Sequence, residues 1–230
     1  LTLTTQTSCN ICNDTGWVSK VDEEGYEVMS RCSCYTINQI KKKWERSGFN
    51  PDSKEKTFKT FKEISDIAKK AKGIAYNYTK NFQKAKTDRV NSLLFMGQPG
   101  SGKTHLCIAT SLNLLSKGIG VVYMSYREVI TGLKQNMCDE EFYQKEVGKY
   151  KKAEVLFIDD LFKGKITETD INIMFEIINY RYLKRLPMII STEFAIDKLL
   201  DKDEATASRI YEMSKDYSCE IIGRENNYRL

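Results

Sequence analysis

At 230 residues, 41% of them hydrophobic and 29% charged, the chain is long enough to bury a substantial core as one large domain or two small ones. No stretch nears the ~20 apolar residues of a membrane span and no signal-peptide pattern opens the chain, so a soluble, cytoplasmic protein is expected. The net charge of +5 is uneven: residues 35–90 hold 15 Lys and Arg against 6 Asp and Glu, pointing to an anionic partner there or to a solvated lysine-rich face.

The chain opens at Leu1 rather than Met, and a missing upstream segment is expected. Residues 1–34 carry four of the seven cysteines, Cys9 and Cys12 in "CNIC" and Cys32 and Cys34 in "CSC". An odd, unevenly placed set is no disulfide framework, and without an export signal it points to a reducing compartment. A hairpin, "WVSKV" and "YEVM" joined by "DEEG", is expected between the two pairs. It would gather four thiolates round one Zn2+ at ~2.3 Å. So short a segment has little core, and a metal would account for its folding. With four protein ligands and no open position, such a zinc is structural rather than catalytic. A redox C-x-x-C is the alternative, but the thioredoxin-like pattern that accompanies it is absent.

Further on, "YTINQIKKKWERSG" reads as a helix ending at Gly48. "FNPDSKEKTF" reads as a polar connector, and "FKEISDIAKKAKGIAYNYTKNFQKA" has apolar residues at helical spacing. From residue 89 the buried strands "SLLFMG", "GVVYMS", "VLFID" and "PMIIS" alternate with helical patterns. These helices are expected at about 103–117, 126–136, 139–152, 168–185 and 195–216, with "CEIIG" as a last strand. The alternation implies an α/β fold, a parallel sheet flanked by helices. The expected organisation is a zinc-binding module over 1–46, a basic helical connector over 47–88 and a nucleotide-binding domain over 89–230.

"GQPGSGKT", residues 97–104, matches the phosphate-binding loop G-x-x-x-x-G-K-[ST] in full, and it lies directly after a strand and before a helix. Gly97, Gly100 and Gly102 permit a tight turn whose amide hydrogens face phosphate oxygens, with Gln98, Pro99 and Ser101 between them. The helix that follows adds its positive N-terminal end. Lys103 is expected on the β- and γ-phosphates of ATP, and the Thr104 hydroxyl on Mg2+. His105, the single histidine, borders the nucleotide and reads as a helix-start residue rather than a catalyst.

In "VLFIDDLFKG" an apolar strand runs into two carboxylates, whose burial is costly without a metal or a partner. Asp159 is expected to help hold the magnesium, and Asp160 to orient or activate the attacking water. Many ATPases of this kind place Glu there; Asp is one methylene shorter, and slow hydrolysis is inferred.

Taken together, "CNICNDTGW…RCSCY", "TFKTF", "GQPGSGKTHL", "FIDDLFKGKITETDINIMFEIINYRY", "PMIISTEF" and "ASRIYEM" resemble the DnaC/DnaI-type helicase loaders of bacteria and phages. These belong to the AAA+ ATPase superfamily, and the resemblance covers nearly the whole chain. It implies an AAA+ core without a full helical lid, bound to the hexameric replicative helicase and helping to place it on single-stranded DNA. The zinc-bearing region would be the helicase-docking part.

By the same resemblance, Arg209 in "ASRIYEM" is the arginine finger of a neighbouring subunit's ATP site, which implies self-association. Taken alone it is an arginine on a helix, paired with nearby acids. Ser191 and Thr192 are candidate γ-phosphate sensors. The wider superfamily places Asn at the sensor position, where this chain has Glu193. Arg181 fits a subunit boundary, a DNA contact or a cap of its own helix. The basic middle and the thirteen tyrosines suit single-stranded DNA or a protein core. An IstB-like transposition helper and a zinc-stabilised ATP-binding adaptor with little turnover are the competing readings. A metabolic kinase is disfavoured for want of an acceptor pocket and lid pattern.

Overall fold

The structure is a computed structural model that describes residues 9–21, 24–32, 34–35, 43, 46–49, 53 and 55–230. The hairpin expected near the start is present as antiparallel β1 (Trp17–Val21) and β2 (Glu27–Arg31). Most of the helix expected from "YTINQIKKKWERSG" lies outside the described residues.

Helix α1 (Asp66–Ala85) begins five residues later than the apolar periodicity from "FKEIS" onward suggests. Ser65 sets that start: its hydroxyl accepts the Ala68 N–H at 3.1 Å, and Asp66 meets the positive helix end. Ala68, Ala71, Ala75, Tyr78 and Phe82 recur at three- and four-residue spacing and are buried together.

The alternation beyond residue 89 gives β3 (Leu93–Gly97), α2 (Lys103–Ser116), β4 (Val121–Ser125), α3 (Tyr126–Gln135), α4 (Glu140–Lys152) and β5 (Val155–Leu161). It continues through α5 (Glu168–Lys184), β6 (Met188–Thr192), α6 (Ile196–Lys202), α7 (Glu204–Ser214) and β7 (Ser218–Ile221). Five of these strands form one parallel sheet in the order β4-β5-β6-β3-β7. Side chains alternate across it. Leu94, Met96, Leu156, Ile158 and Ile190 face α3, α4, α5 and α7, whereas Leu93, Phe95, Phe157 and Ile189 face α1 and α2. The helix of the expected connector thus shares a core with the sheet. Among the described residues, no helix is long and apolar enough to cross a membrane.

The single helix expected over 195–216 is two. Asp203 has extended backbone (φ −158°, ψ 95°), ending α6 and standing as the N-cap residue of α7. Arg181 is fully buried on α5, and its guanidinium donates to the carbonyls of Tyr150 (2.9 Å), Lys151 (3.1 Å), Ala153 (2.8 Å) and Pro187 (2.7 Å). Burial lowers its pKa to about 9. It does not cap its own helix, as the sequence allowed, but closes the carbonyl end of α4 and the approach to β6.

Candidate nucleotide site and metal centre

The loop from β3 to α2 is held where only glycine fits. Gly97 has φ +123°, and a Cβ there would lie 2.1 Å from the Ile221 carbonyl oxygen on β7. Gly102 (φ +81°) starts α2 with no side-chain cap, leaving the helix's N–H groups free for an anion. Lys103 is 4% exposed and donates to the carbonyls of Gly97 (2.7 Å) and Gln98 (2.6 Å). Burial lowers its pKa, opposed by the charges of Asp160 and Glu193.

The adjacent carboxylates differ in surroundings. Asp159 accepts from Ser191 Oγ (2.5 Å), Thr104 Oγ1 (2.8 Å) and Tyr123 OH (3.2 Å). Burial raises its pKa, and the bonds from Ser191 and Thr104 work against that rise. Asp160 sits at an irregularity of β5, where register shifts between Ile158 and Leu161 and its φ is +57°. Such a bulge re-aims a side chain at some cost in backbone strain. Its N–H donates to Ser191 Oγ at 2.8 Å, and its carboxylate meets Lys163 Nζ at 2.8 Å. Lys163 also reaches Glu193 at 2.9 Å, and these two acids hold its pKa up against burial.

Ser191 therefore joins both aspartates. Thr192 turns away, donating to the Leu161 carbonyl at 3.0 Å and accepting the Phe194 N–H at 3.2 Å. Thr104 and Asp159 place hard oxygen ligands side by side, a donor set suited to Mg2+.

Thr104, Asp160, Lys163 and Glu193 open onto a cavity of about 420 Å³, lined also by Pro99, Gly100, Ser101, Gly102, Lys103 and His105. Its far wall comes from Lys56, Thr60, Phe61, Lys62, Tyr228 and Arg229, none of which the sequence reading singled out for the site. Phe61 packs on Tyr228 (ring centroids 5.5 Å apart) and edge-on to His105 (5.3 Å). The Tyr228 N–H donates to the Gly100 carbonyl at 3.0 Å. His105 lies in the first turn of α2, its Nε2 2.9 Å from the Thr57 carbonyl oxygen. It thereby ties the "TFKTF" stretch to the phosphate loop. The cavity sets cationic and amide groups beside aromatic rings: a Cβ on Gly102 of the phosphate loop would lie 2.8 Å from the Phe61 ring and 3.0 Å from that of Tyr228. Phosphate and base of a nucleotide both have partners of suitable chemistry here.

Arg209 lies on α7 and does not line this cavity. Its Nε donates to Asn179 Oδ1 at 3.0 Å, and its guanidinium lies over Phe175 (5.2 Å) and Tyr182 (5.3 Å).

In the N-terminal segment, the Sγ atoms of Cys9, Cys12, Cys32 and Cys34 all lie within 4.8 Å of one another. The Cys9–Cys32 and Cys12–Cys34 separations of 3.8 and 3.3 Å are far from a disulfide bond. They fit the edges of a tetrahedron, which at Zn–S of ~2.3 Å are about 3.8 Å long. The Gly16 N–H donates to Cys12 Sγ at 3.3 Å, a supporting bond of the kind that orients a ligand. Burial pushes the Cys12 thiol up, but bonds with Cys34, Gly16, Cys9 and Cys32 bring its pKa down to about 7. The four residues can hold zinc.

The chain matches the family described as IstB-like ATP binding protein over residues 52–227. It is 36% identical over 232 residues to the phage-like element PBSX protein XkdC of Bacillus subtilis (strain 168), covering 96% of this chain and 86% of that protein. It is 38% identical over 210 residues to YqaM of the same organism, covering 87% of this chain and 66% of that protein. A crystal structure of the DnaC helicase loader superposes with a TM-score of 0.65 at 24% identity, covering 75% of this chain and 100% of that one. The chain belongs to the family of IstB-like ATP-binding proteins and has an AAA+ fold.

Proposed function

We propose that the chain is a slow, Mg2+-dependent ATPase that loads a hexameric replicative helicase onto single-stranded DNA, with a structural zinc in its cysteine module. The observation that carries the ATPase reading is the ligation of Asp159 and Asp160 through Ser191 beside Thr104 and Lys103. On binding ATP, Lys103 turns from the loop carbonyls to the β- and γ-phosphates, while Phe61 and Tyr228 receive the base. Thr104 and Asp159 would hold Mg2+, which when bound would supply positive charge to the phosphate oxygens. Asp160 orients a water against the γ-phosphorus and takes its proton as the bond to the β-phosphate oxygen breaks. A neighbouring subunit's Arg209 stabilises the charge that develops. Likeness to the DnaC helicase loader fold and the four-cysteine module support the loader reading.

The test is a loading assay on circular single-stranded DNA, which has no end to thread. The helicase should unwind an annealed strand only with this protein and ATP, and should lose that ability with Lys103→Ala. A second reading, an ATP-dependent helper of a transposase, has the family description in its favour. Failure to promote loading, by protein that hydrolyses ATP, would favour that reading.

A further inference from the structure

Tyr123 touches the nucleotide site without lining its cavity. It stands in the middle of β4, the edge strand of the sheet, in register with Phe157 of β5. Two-residue alternation puts Tyr123, Phe157 and Asp159 on one face. The residue paired with Asp159 is the small Ser125, and the Tyr123 hydroxyl reaches the carboxylate from two residues back, at 3.2 Å. The three donors to Asp159 divide between its oxygens: Ser191 and Thr104 bond Oδ1, and Tyr123 bonds Oδ2. Two donors on one oxygen leave the carboxylate plane free to turn about its broad terminal torsion. A third donor on the other oxygen fixes it.

Tyr123 is held in turn from outside the sheet. Phe49 stacks on its ring (centroids 5.1 Å apart, planes inclined at 27°) and lies 6.0 Å from Phe157, which is itself 5.2 Å from Tyr123. Phe49 opens the polar connector that follows the cysteine module, and the residues before it fasten it to the same strand. Gly48 (φ +78°) turns the chain where a Cβ would lie 3.7 Å from the Tyr123 carbonyl oxygen, and Ser47 is buried. Lys43 donates to the Gly118 carbonyl just before β4 and pairs with Glu154, just before β5, at 3.5 Å. None of these contacts involves a cysteine.

We propose that Tyr123 is a positioning residue for Asp159, and that Phe49, by seating Tyr123, couples the connector behind the cysteine module to the binding of nucleotide with Mg2+. With the connector seated, the Tyr123 hydroxyl holds the Asp159 carboxylate in the plane that keeps Oδ1 beside Thr104, the second oxygen ligand. With Phe49 withdrawn, Tyr123 loses its stacking partner and the carboxylate its third donor. Coupling is reciprocal, so nucleotide binding with Mg2+ favours the seated connector as much as the seat favours binding. Nucleotide state thereby reaches the segment joined to the cysteine module. Both halves rest on the ATPase reading above.

The experiment titrates the full chain with a fluorescent, non-hydrolysable ATP analogue, in Mg2+ and in EDTA, and follows hydrogen exchange at Gly48 and Phe49 with and without the analogue. Tyr123→Phe keeps the ring and its stack but loses the donor; Phe49→Ala loses the stack. Each should weaken binding in Mg2+ by about 5- to 30-fold, within the usual range of coupling between sites, and leave binding in EDTA unchanged. A merely structural role for either ring would lower both affinities alike. The analogue with Mg2+ should slow exchange at Gly48 and Phe49 in the wild type and not in Tyr123→Phe. Wild-type affinity of Tyr123→Phe in Mg2+ would overturn the positioning role. Exchange at Gly48 and Phe49 that is the same with and without the analogue would overturn the coupling. A wild-type chain that binds no analogue in either buffer would overturn the ATPase reading and the coupling with it, whereas unchanged variants of a chain that does bind overturn the coupling alone.

Discussion

Ser191 donates its hydroxyl to Asp159 at 2.5 Å and accepts the backbone N–H of Asp160 at 2.8 Å, so one side chain on β6 sets the geometry of both carboxylates on β5. The Asp159 carboxyl has a raised pKa, which means that the folded chain favours its protonated form. Without Mg2+, this group's contribution to stability is full below the ordinary carboxylate range and is lost as pH rises through the raised value. Ser191→Ala removes a bond that opposes the rise. The acid limb of Mg2+-dependent ATP binding should therefore move to higher pH. Asp159→Asn should raise the melting point of the unliganded protein by about 2–4 °C and abolish the Mg2+-dependent part of the affinity. Titrations with a fluorescent ATP analogue across pH, with melts of both variants, check this.

Tyr228 should serve the base and not the phosphates. Tyr228→Ala is expected to weaken ATP and ADP equally, by about 10- to 100-fold, or ~1–3 kcal/mol for a lost stacking partner. Calorimetric binding of both nucleotides tests it, and a loss confined to ATP would place Tyr228 on the γ-phosphate instead.

The cysteine module has little to bury. Most β1 and β2 side chains are exposed, so its order should depend on the metal. Native mass spectrometry should find one zinc per chain. Chelation, or Cys12→Ser, should release it and change the fluorescence of Trp17, whose ring lies 3.7 Å from the Arg31 guanidinium carbon. ATP affinity should not change.

Arg209→Ala should lower turnover by about 10³-fold, the lower range for a trans arginine, at protein concentrations where chains associate. ATP affinity of the dilute protein should be unaltered, because Arg209 does not line its own chain's cavity. Turnover measured against protein concentration separates this from a purely intramolecular role with Asn179.

The phosphate loop, the strand carrying Asp159 and the cysteine pairs were legible because each is contiguous in sequence and has one dominant physical signature. The far wall of the cavity was not. Phe61 and Tyr228 are 167 positions apart and meet only because β7 lies beside β3. Nothing in the sequence sets Lys163 apart from other lysines; the bulge at Asp160 is what turns that carboxylate toward it. The break at Asp203 was missed because no Gly or Pro marks it, although an Asp followed by Glu204 is a helix-start signal. Arg181 stayed open from sequence because burial, which decides its role, is a property of the assembled helices.

The central claim is that ATP state governs attachment to a helicase. Native mass spectrometry of this protein, zinc-loaded and with any upstream segment, mixed with the replicative helicase of its own cell tests it most directly. The account predicts a complex on the hexamer whose abundance or stoichiometry differs between ATP and ADP, and it is contradicted if no complex forms with either nucleotide.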